Sequence, residues 1–303
     1  MKLRVSYTAG AGFVVNWPGL CARERGFYRE EGLEVELVPL YQAEQTSQLI
    51  SGETPVERRG PDEDIVLIER GEPLRIVAGL ARKPPITLFA QPGIPSVQHL
   101  RGATIAGVSG KYGSTLALRM LLQDEGLADE DVTVTSTGGT LPRYAALRSG
   151  AAVATLLSPP TSAQAAAAGY TRLVNLAERY PSFLYSALQA NTDWTATHRS
   201  ALVALIRADI RGQQWLYDPA NREEAIALLA DADRMDRVDA NACYEETVVR
   251  DQIYCRAGEI DPSMLADLIA GLARLGDIGP KMAAADYLDL GPLTEARTSL
   301  GIA

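Results

Sequence analysis

The run Gly107-Val108-Ser109-Gly110-Lys111-Tyr112-Gly113-Ser114-Thr115 joins a β-prone segment to a strongly helical one. A helix start leaves backbone N–H groups without intrahelical partners, and the helix dipole adds positive character there. That combination suits a carboxylate, sulfonate or phosphate, with Ser109, Lys111, Tyr112, Gly113, Ser114 and Thr115 as its contacts. The alternative is plain capping by Ser114, with the glycines serving a tight turn. A nucleotide phosphate loop is excluded by spacing, because Gly110-Lys111 is followed by Tyr112 rather than Ser or Thr. The Gly107, Gly110, Gly113 series also fails the dinucleotide pattern.

A second cationic feature is Arg58-Arg59-Gly60. A guanidinium pairs two oxygens of an anion at once, so either arginine could clamp an acid. Glu57, Asp62, Glu63 and Asp64 stand beside them, which equally suits a solvated surface. In extended chain the two side chains point opposite ways, so at most one faces a ligand. Three further loops follow strands and precede helices, where open α/β sheets hold ligands. They supply Gly12 and Phe13, then Thr137, Gly138 and Gly139, then Ser158; Trp17 could stack there or pack in the core, and Tyr185 completes the candidate set.

Recognisable catalytic chemistry is missing from these loops. His99 and His198 fall outside them, and no HExxH, GxSxG or suitably placed carboxylate pair occurs. Cys21, Cys243 and Cys255 are odd in number and irregular in spacing, forming neither a metal pattern nor a disulfide framework. Cys21 lies in an amphipathic helix and reads as a buried thiol. No catalytic residue is assigned, and no metal or cofactor is expected.

The elements that must position these loops are legible. "KLRVSYT", "EVELVPL", "LRIVAGL", "ITLFAQ", "HLRGATIAGV", "DVTVTST" and "AAVATLLS" read as strands. Between them lie helical patterns: "WPGLCARERGFYREEGL" as one helix, "AEQTSQLISG", "DEDIVLIERG", the segment after Ser114, "PRYAALRSG" and "SAQAAAAGY". "FLYSALQAN" reads as a strand crossing back, and the chain after Thr195 is nearly all helical, including "ANACYEETVVRDQIYC". Strands separated by helices predict parallel or mixed α/β sheets. The 303 residues carry a net charge of −9, which argues against nucleic acid as a partner. No apolar run approaches the ~20 residues of a membrane helix. No leader is visible after Met1-Lys2, so the expectation is a cytoplasmic protein, or a periplasmic or extracellular one whose signal peptide has been removed.

"ARERGFYREEGLEVELVPL", "GEPLRIVAGLARKPPITLFAQPGIPSVQHLRGATIAGVSGKYGSTLALRMLLQDEGL", "GGTLPRYAALRSGAAVATLLSPP" and "GEIDPSMLADLIAGLARLGDIGPKMAAADYLD" together resemble the NMT1/THI5-like substrate-binding proteins for nitrate, sulfonates, taurine and thiamine precursors. The resemblance implies a two-lobed periplasmic-binding-protein type II fold, its mixed sheets flanked by helices, with a helical C-terminal region. Residues 1–88 and 190–303 would form one lobe and 89–189 the other, with a ligand cleft between them that closes by hinge motion. It also implies a small, anionic organic ligand (sulfonate, carboxylate or aromatic acid) and, for an exported chain, an ABC permease as partner. "GETPVERRGPDED" resembles the arginine segment of the sulfinate desulfinases, enzymes on the same scaffold. Their nucleophilic cysteine is matched here by Phe13, and their histidine falls near Gln48, so the scaffold carries over while the chemistry does not. The rival expectation is therefore a cytosolic lyase or hydrolase acting on a small organic acid, through Lys111, Tyr112 or an aspartate of "PDED".

Overall fold

Alternating burial along Lys2–Thr8 makes β1, with Leu3 and Val5 turned into the core. The computed structural model describes residues 1–9, 13–108, 110–279 and 282–302. After β1 come α1 (Trp17–Glu24), α2 (Phe27–Glu30), β2 (Glu34–Leu40), α3 (Gln42–Ser51), β3 (Val56–Arg59), α4 (Asp62–Glu69) and β4 (Leu74–Ala81). The chain continues through β5 (Thr87–Ala90), β6 (Thr104–Gly107), α5 (Ser114–Asp124), β7 (Thr133–Ser136), α6 (Thr140–Ser149), β8 (Ala154–Leu157), α7 (Thr161–Ala167), β9 (Thr171–Asn175) and α8 (Leu176–Arg179). It ends with β10 (Ser186–Asn191), α9 (Thr192–Tyr217), α10 (Arg222–Asp233), α11 (Arg237–Tyr244), α12 (Ala266–Arg274) and α13 (Gly291–Ser299).

These elements form two compact units: Met1–Arg82, Ser182–Asn241 and Gln252–Ala303 make the first, Lys83–Pro181 and Ala242–Asp251 the second. The first holds a sheet of order β2-β1-β3-β10-β4, with β1 parallel to β2 and β3 and β10 antiparallel to both its neighbours. The second holds the order β7-β6-β8-β5-β9, with β6 parallel to β7 and β8 and β5 antiparallel to β8 and β9. The short stretch Ala242–Asp251 is tied into the second unit where Ser162 Oγ donates to Glu246 Oε2 at 2.8 Å and Lys83 Nζ donates to the Asp251 carbonyl at 2.8 Å.

Three local expectations are corrected. The single helix expected from Trp17 onward is two, because Gly26 adopts φ +78°, a left-handed conformation that ends one helix before the next begins. The helix expected to run on to Cys255 leaves α geometry after Tyr244, widens into a π turn over Glu245–Arg250 and stops at Gln252, whose φ is +47°. β9 was not among the expected strands; it pairs with β5 at the sheet edge.

The first sheet's core lies on one face, where Leu3, Val5, Val56, Val77, Leu188 and Ala190 meet Leu202, Leu205, Ile206 and Ile210 of α9. α1 crosses α9 closely: a methyl on Gly212 would sit 2.2 Å from the Pro18 carbonyl oxygen and 3.0 Å from Ala22 Cβ. Backbone cannot give way there as a side chain can. Gly212→Ala is expected to lower unfolding stability by about 3 kcal/mol, the upper range for overpacking, measured as a shifted urea midpoint with an unchanged slope.

Candidate functional site

In the second unit, β7, β6 and β8 are neighbours and parallel, so their C-terminal ends share one edge, and α5, α6 and α7 all begin there. The loops are tied together at that edge. The Gly107 carbonyl accepts the Thr137 N–H at 2.9 Å and the Gly138 N–H at 3.3 Å. Thr140 and Ser158 hydroxyls lie 3.1 Å apart, and the Ser158 carbonyl accepts Thr161 Oγ1 at 2.7 Å and the Ser162 N–H at 3.1 Å. Thr115 Oγ1 donates to the Val108 carbonyl at 3.4 Å. Lys111 and Gly113 are exposed, and Tyr112, Ser114 and Thr115 half-buried.

Two of the three helix starts have a glycine in the capping position. Gly113, not Ser114, precedes the first turn of α5, and Gly139 precedes α6; neither helix has a side-chain cap among the described residues. A Cβ built on Gly113 or Gly139 would meet no heavy atom of the described residues within 4 Å. Arg143, only 5% exposed, backs the start of α6, donating from Nη2 to Thr140 Oγ1 at 3.2 Å and from Nε to the Gly139 carbonyl at 3.4 Å. Sequence reading missed Arg143, Thr140 and Thr161; their place in the first turns after Gly139 and Ser158 was the available signal. Gly12 and Ser109 lie outside the described residues.

The first unit assembles a different surface at the end of β1. The Phe13 N–H donates to Asp233 at the end of α10, 2.8 Å from Oδ2 and 3.0 Å from Oδ1. The Tyr7 and Phe13 rings are 5.2 Å apart, and the Arg23 guanidinium lies 5.4 Å from the Phe13 ring centre. Burial raises the Asp233 carboxyl above its ordinary range, against the pull of the Phe13 N–H. Burial also raises the Tyr7 phenol, and the Asp233 charge adds to that. Trp17 is fully buried, with Nε1 donating to the Ala225 carbonyl at 3.2 Å, so its indole packs in the core. Tyr185 is half-buried and bonded through its N–H to the Ala81 carbonyl at 2.9 Å. Its own carbonyl oxygen would lie 3.3 Å from a Cβ built on Gly60.

Arg58 and Arg59 do point to opposite faces of the sheet, and both guanidiniums are committed to carboxylates of the protein itself. Arg58, 1% exposed, reaches Asp209 of α9 through Nη2, at 2.5 Å from Oδ1 and 2.7 Å from Oδ2, and also donates to the Tyr28 hydroxyl at 2.8 Å. Gly19 makes room for it, since a Cβ there would fall 2.7 Å from Arg58 Nη1. Arg59 donates to Asp64 Oδ1 at 2.6 Å, Glu63 Oε2 at 2.8 Å and Thr46 Oγ1 at 2.9 Å. Glu57 Oε1 lies 2.7 Å from Arg59 Nε. The expected anion clamp and the expected solvated surface both give way to buried ion pairs. Glu63 and Asp64 of the acidic run that could have served an enzyme are spent on Arg59 as well.

Residues 16–222 match the family described as NMT1/THI5 like. The chain belongs to that family. A riboflavin-binding protein, RibY of Chloroflexus aurantiacus, is 32% identical over 146 residues, which is 46% of this chain and 40% of the relative's length. Among solved structures, the alkanesulfonate-binding protein SsuA of Xanthomonas axonopodis pv. citri, bound to MOPS, shares the fold with a TM-score of 0.76, 14% identity and 96% and 98% of the two chains covered. The periplasmic nitrate-binding protein NrtA of Synechocystis PCC 6803 does so with a TM-score of 0.75 and 15% identity, over 99% of this chain and 89% of its own. This NMT1/THI5-like chain therefore has the periplasmic-binding-protein fold: two mixed sheets flanked by helices, with further helices in the C-terminal region. No helix among its described residues is long and apolar enough to cross a membrane.

Two outcomes follow from the paired arginines of this NMT1/THI5-like scaffold. Arg58→Ala strands the Asp209 carboxylate in the core, and the expected loss of unfolding stability is about 3–5 kcal/mol, read by urea denaturation. One guanidinium facing Glu57, Glu63 and Asp64 leaves a surplus of negative charge, and Glu57 and Asp64 are fully buried. Burial holds the Glu57 carboxyl well above its usual range; Arg59 opposes this and Asp64 adds to it. The folded state thus keeps a proton that the unfolded chain releases at about pH 4.3. Stability is full below that value and declines as pH rises toward the folded one. Melting temperatures should fall over that window in the native protein and flatten in Glu57→Gln; equal slopes would show that Glu57 carries no such proton.

Proposed function

We propose that this chain is a solute-binding protein that captures a small organic acid with a planar or aromatic body and delivers it to an ABC permease outside the cytoplasm. The observation that carries this reading is the edge of the second sheet. There two helix starts have glycine in the capping position, and Arg143 donates to the first turn of one of them. Backbone N–H groups and helix dipoles at such a place bind oxyanions without any covalent chemistry. The sulfonate- and nitrate-binding structures named above support an anionic group on the ligand. The riboflavin named for the RibY relative supports a planar, aromatic body on the ligand.

The test is calorimetry of the purified protein with alkanesulfonates, nitrate, benzoate-type acids and riboflavin. One class should bind saturably. Gly139→Leu fills the open space beside α6 without a backbone clash, because Gly139 has φ −65° and no heavy atom near its Cβ position. It should fold with a stability change of about 1 kcal/mol or less and lose affinity by more than about tenfold, equivalent to ~1.4 kcal/mol. Undiminished binding in Gly139→Leu would remove the second-unit edge from the reading.

A further inference from the structure

A separate concavity lies at the opposite end of the first sheet, where β4 begins and β10 ends. It encloses 280 Å³ and is lined by Arg75, Val77, Ala190, Thr192, Thr195, Ala196, Arg199 and Asp289. Its floor is apolar: Val77 and Ala190 are each 1% exposed and sit on the sheet face covered by α9. One wall is the first two turns of α9, whose capping residue Asn191 accepts the Trp194 N–H through its side chain. The other is built by Asp289, fixed through its own N–H to the Ile76 carbonyl at 3.0 Å.

The charges around this space are not used up on one another. Arg75 donates from Nη1 to the Leu74 carbonyl at 2.6 Å and, among the described residues, makes no ion pair. Arg199 pairs through Nε with Glu295 at 3.2 Å, with both side chains about half exposed, and its Nη groups turn toward Gly291. A Cβ on Gly291 would lie 2.9 Å from Arg199 Nη2 and 3.2 Å from Asp289 Oδ1, so cation and carboxylate flank the same glycine. Asp289 also makes no ion pair among the described residues; its Oδ1 accepts the Gly291 N–H at 3.1 Å. Arg75, the positive end of α9 and two threonines, together with the Asp289 carboxylate that shares Gly291 with Arg199, match a molecule that carries both charges. A simple anion would meet Asp289, and a simple cation would meet Arg75. The volume lies just below the ~300 Å³ at which drug-sized sites begin, the scale of a single amino acid.

We propose that this pocket binds a free α-amino acid with an aliphatic side chain. Its carboxylate lies against Arg75 and the start of α9, its ammonium against Asp289, and its side chain on Val77, Ala190 and Ala196. The site is at the N-terminal edge of the parallel strands, the edge away from the loops that follow β1 and β3, and it stands independently of the solute reading above.

The experiment is calorimetry and thermal shift of the full chain with L-leucine, L-leucinamide and 4-methylpentanoate at millimolar concentration. L-leucine is expected to bind saturably and to raise the melting temperature. The amide, which lacks the carboxylate, and the acid, which lacks the ammonium, should each bind at least about tenfold more weakly, as expected when a charge-assisted hydrogen bond is lost. Arg75→Gln and Asp289→Asn should each show a similar loss, while Gly139→Leu should keep L-leucine binding. No saturable L-leucine binding, or binding of 4-methylpentanoate as tight as that of L-leucine, overturns the proposal. If a variant fails to fold, the two analogues on the native protein decide alone.

Discussion

The ion pair between Arg58 in the middle of the first sheet and Asp209 on α9 constrains everything around it. A guanidinium this deeply buried is tolerable only when a carboxylate arrives with good geometry, because the desolvation cost of both charges must be met by their attraction and by added hydrogen bonds. Tyr28 supplies such a bond, donating to Asp209 Oδ1 at 2.6 Å while accepting from Arg58. The pair joins residues 151 apart in the chain. β3, α2 and α9 must therefore come together as a set, with α1 held over the guanidinium by the missing side chain of Gly19. The long helix is locked to the sheet by charge as well as by its apolar stripe.

Much of the architecture was legible because burial and periodicity coincide. Strands such as Leu74–Ala81 and Thr104–Gly107 are short apolar runs, and the loops after β6 and β7 announce themselves with glycine followed by helix formers. The fate of Arg58 was not legible, since its partner lies beyond any local window and a surface arginine has the same local pattern. Arg59 shows a subtler failure. Its acidic neighbours were visible, yet nearness in sequence did not reveal that Glu57 and Asp64 are fully buried around it. Asp233 escaped notice for the same reason as Asp209. It meets Phe13 across 220 residues of chain, and only the folded state makes them neighbours.

The two sheets treat their strand ends differently. In the second, hydroxyls and amides of adjacent loops bond to one another, as Thr140 does with Ser158 and Thr137 with Gly107, giving a donor-rich edge. In the first, the edge after β1 carries aromatic rings and a half-buried carboxylate whose proton affinity is raised. The first edge is therefore acidic and aromatic where the second is lined by hydroxyls and backbone amides.

Sealing both strand arginines inside the protein has a consequence for how such a scaffold diversifies. The cations that might have dictated one kind of guest are permanently neutralised by internal acids, and the framework is indifferent to what its loops hold. Turns after the strands can then be rewritten, residue by residue, without disturbing the charges on which assembly depends. A shared framework at 14–15% identity, carried by proteins named for guests as unlike as an alkanesulfonate and nitrate, is what that indifference permits.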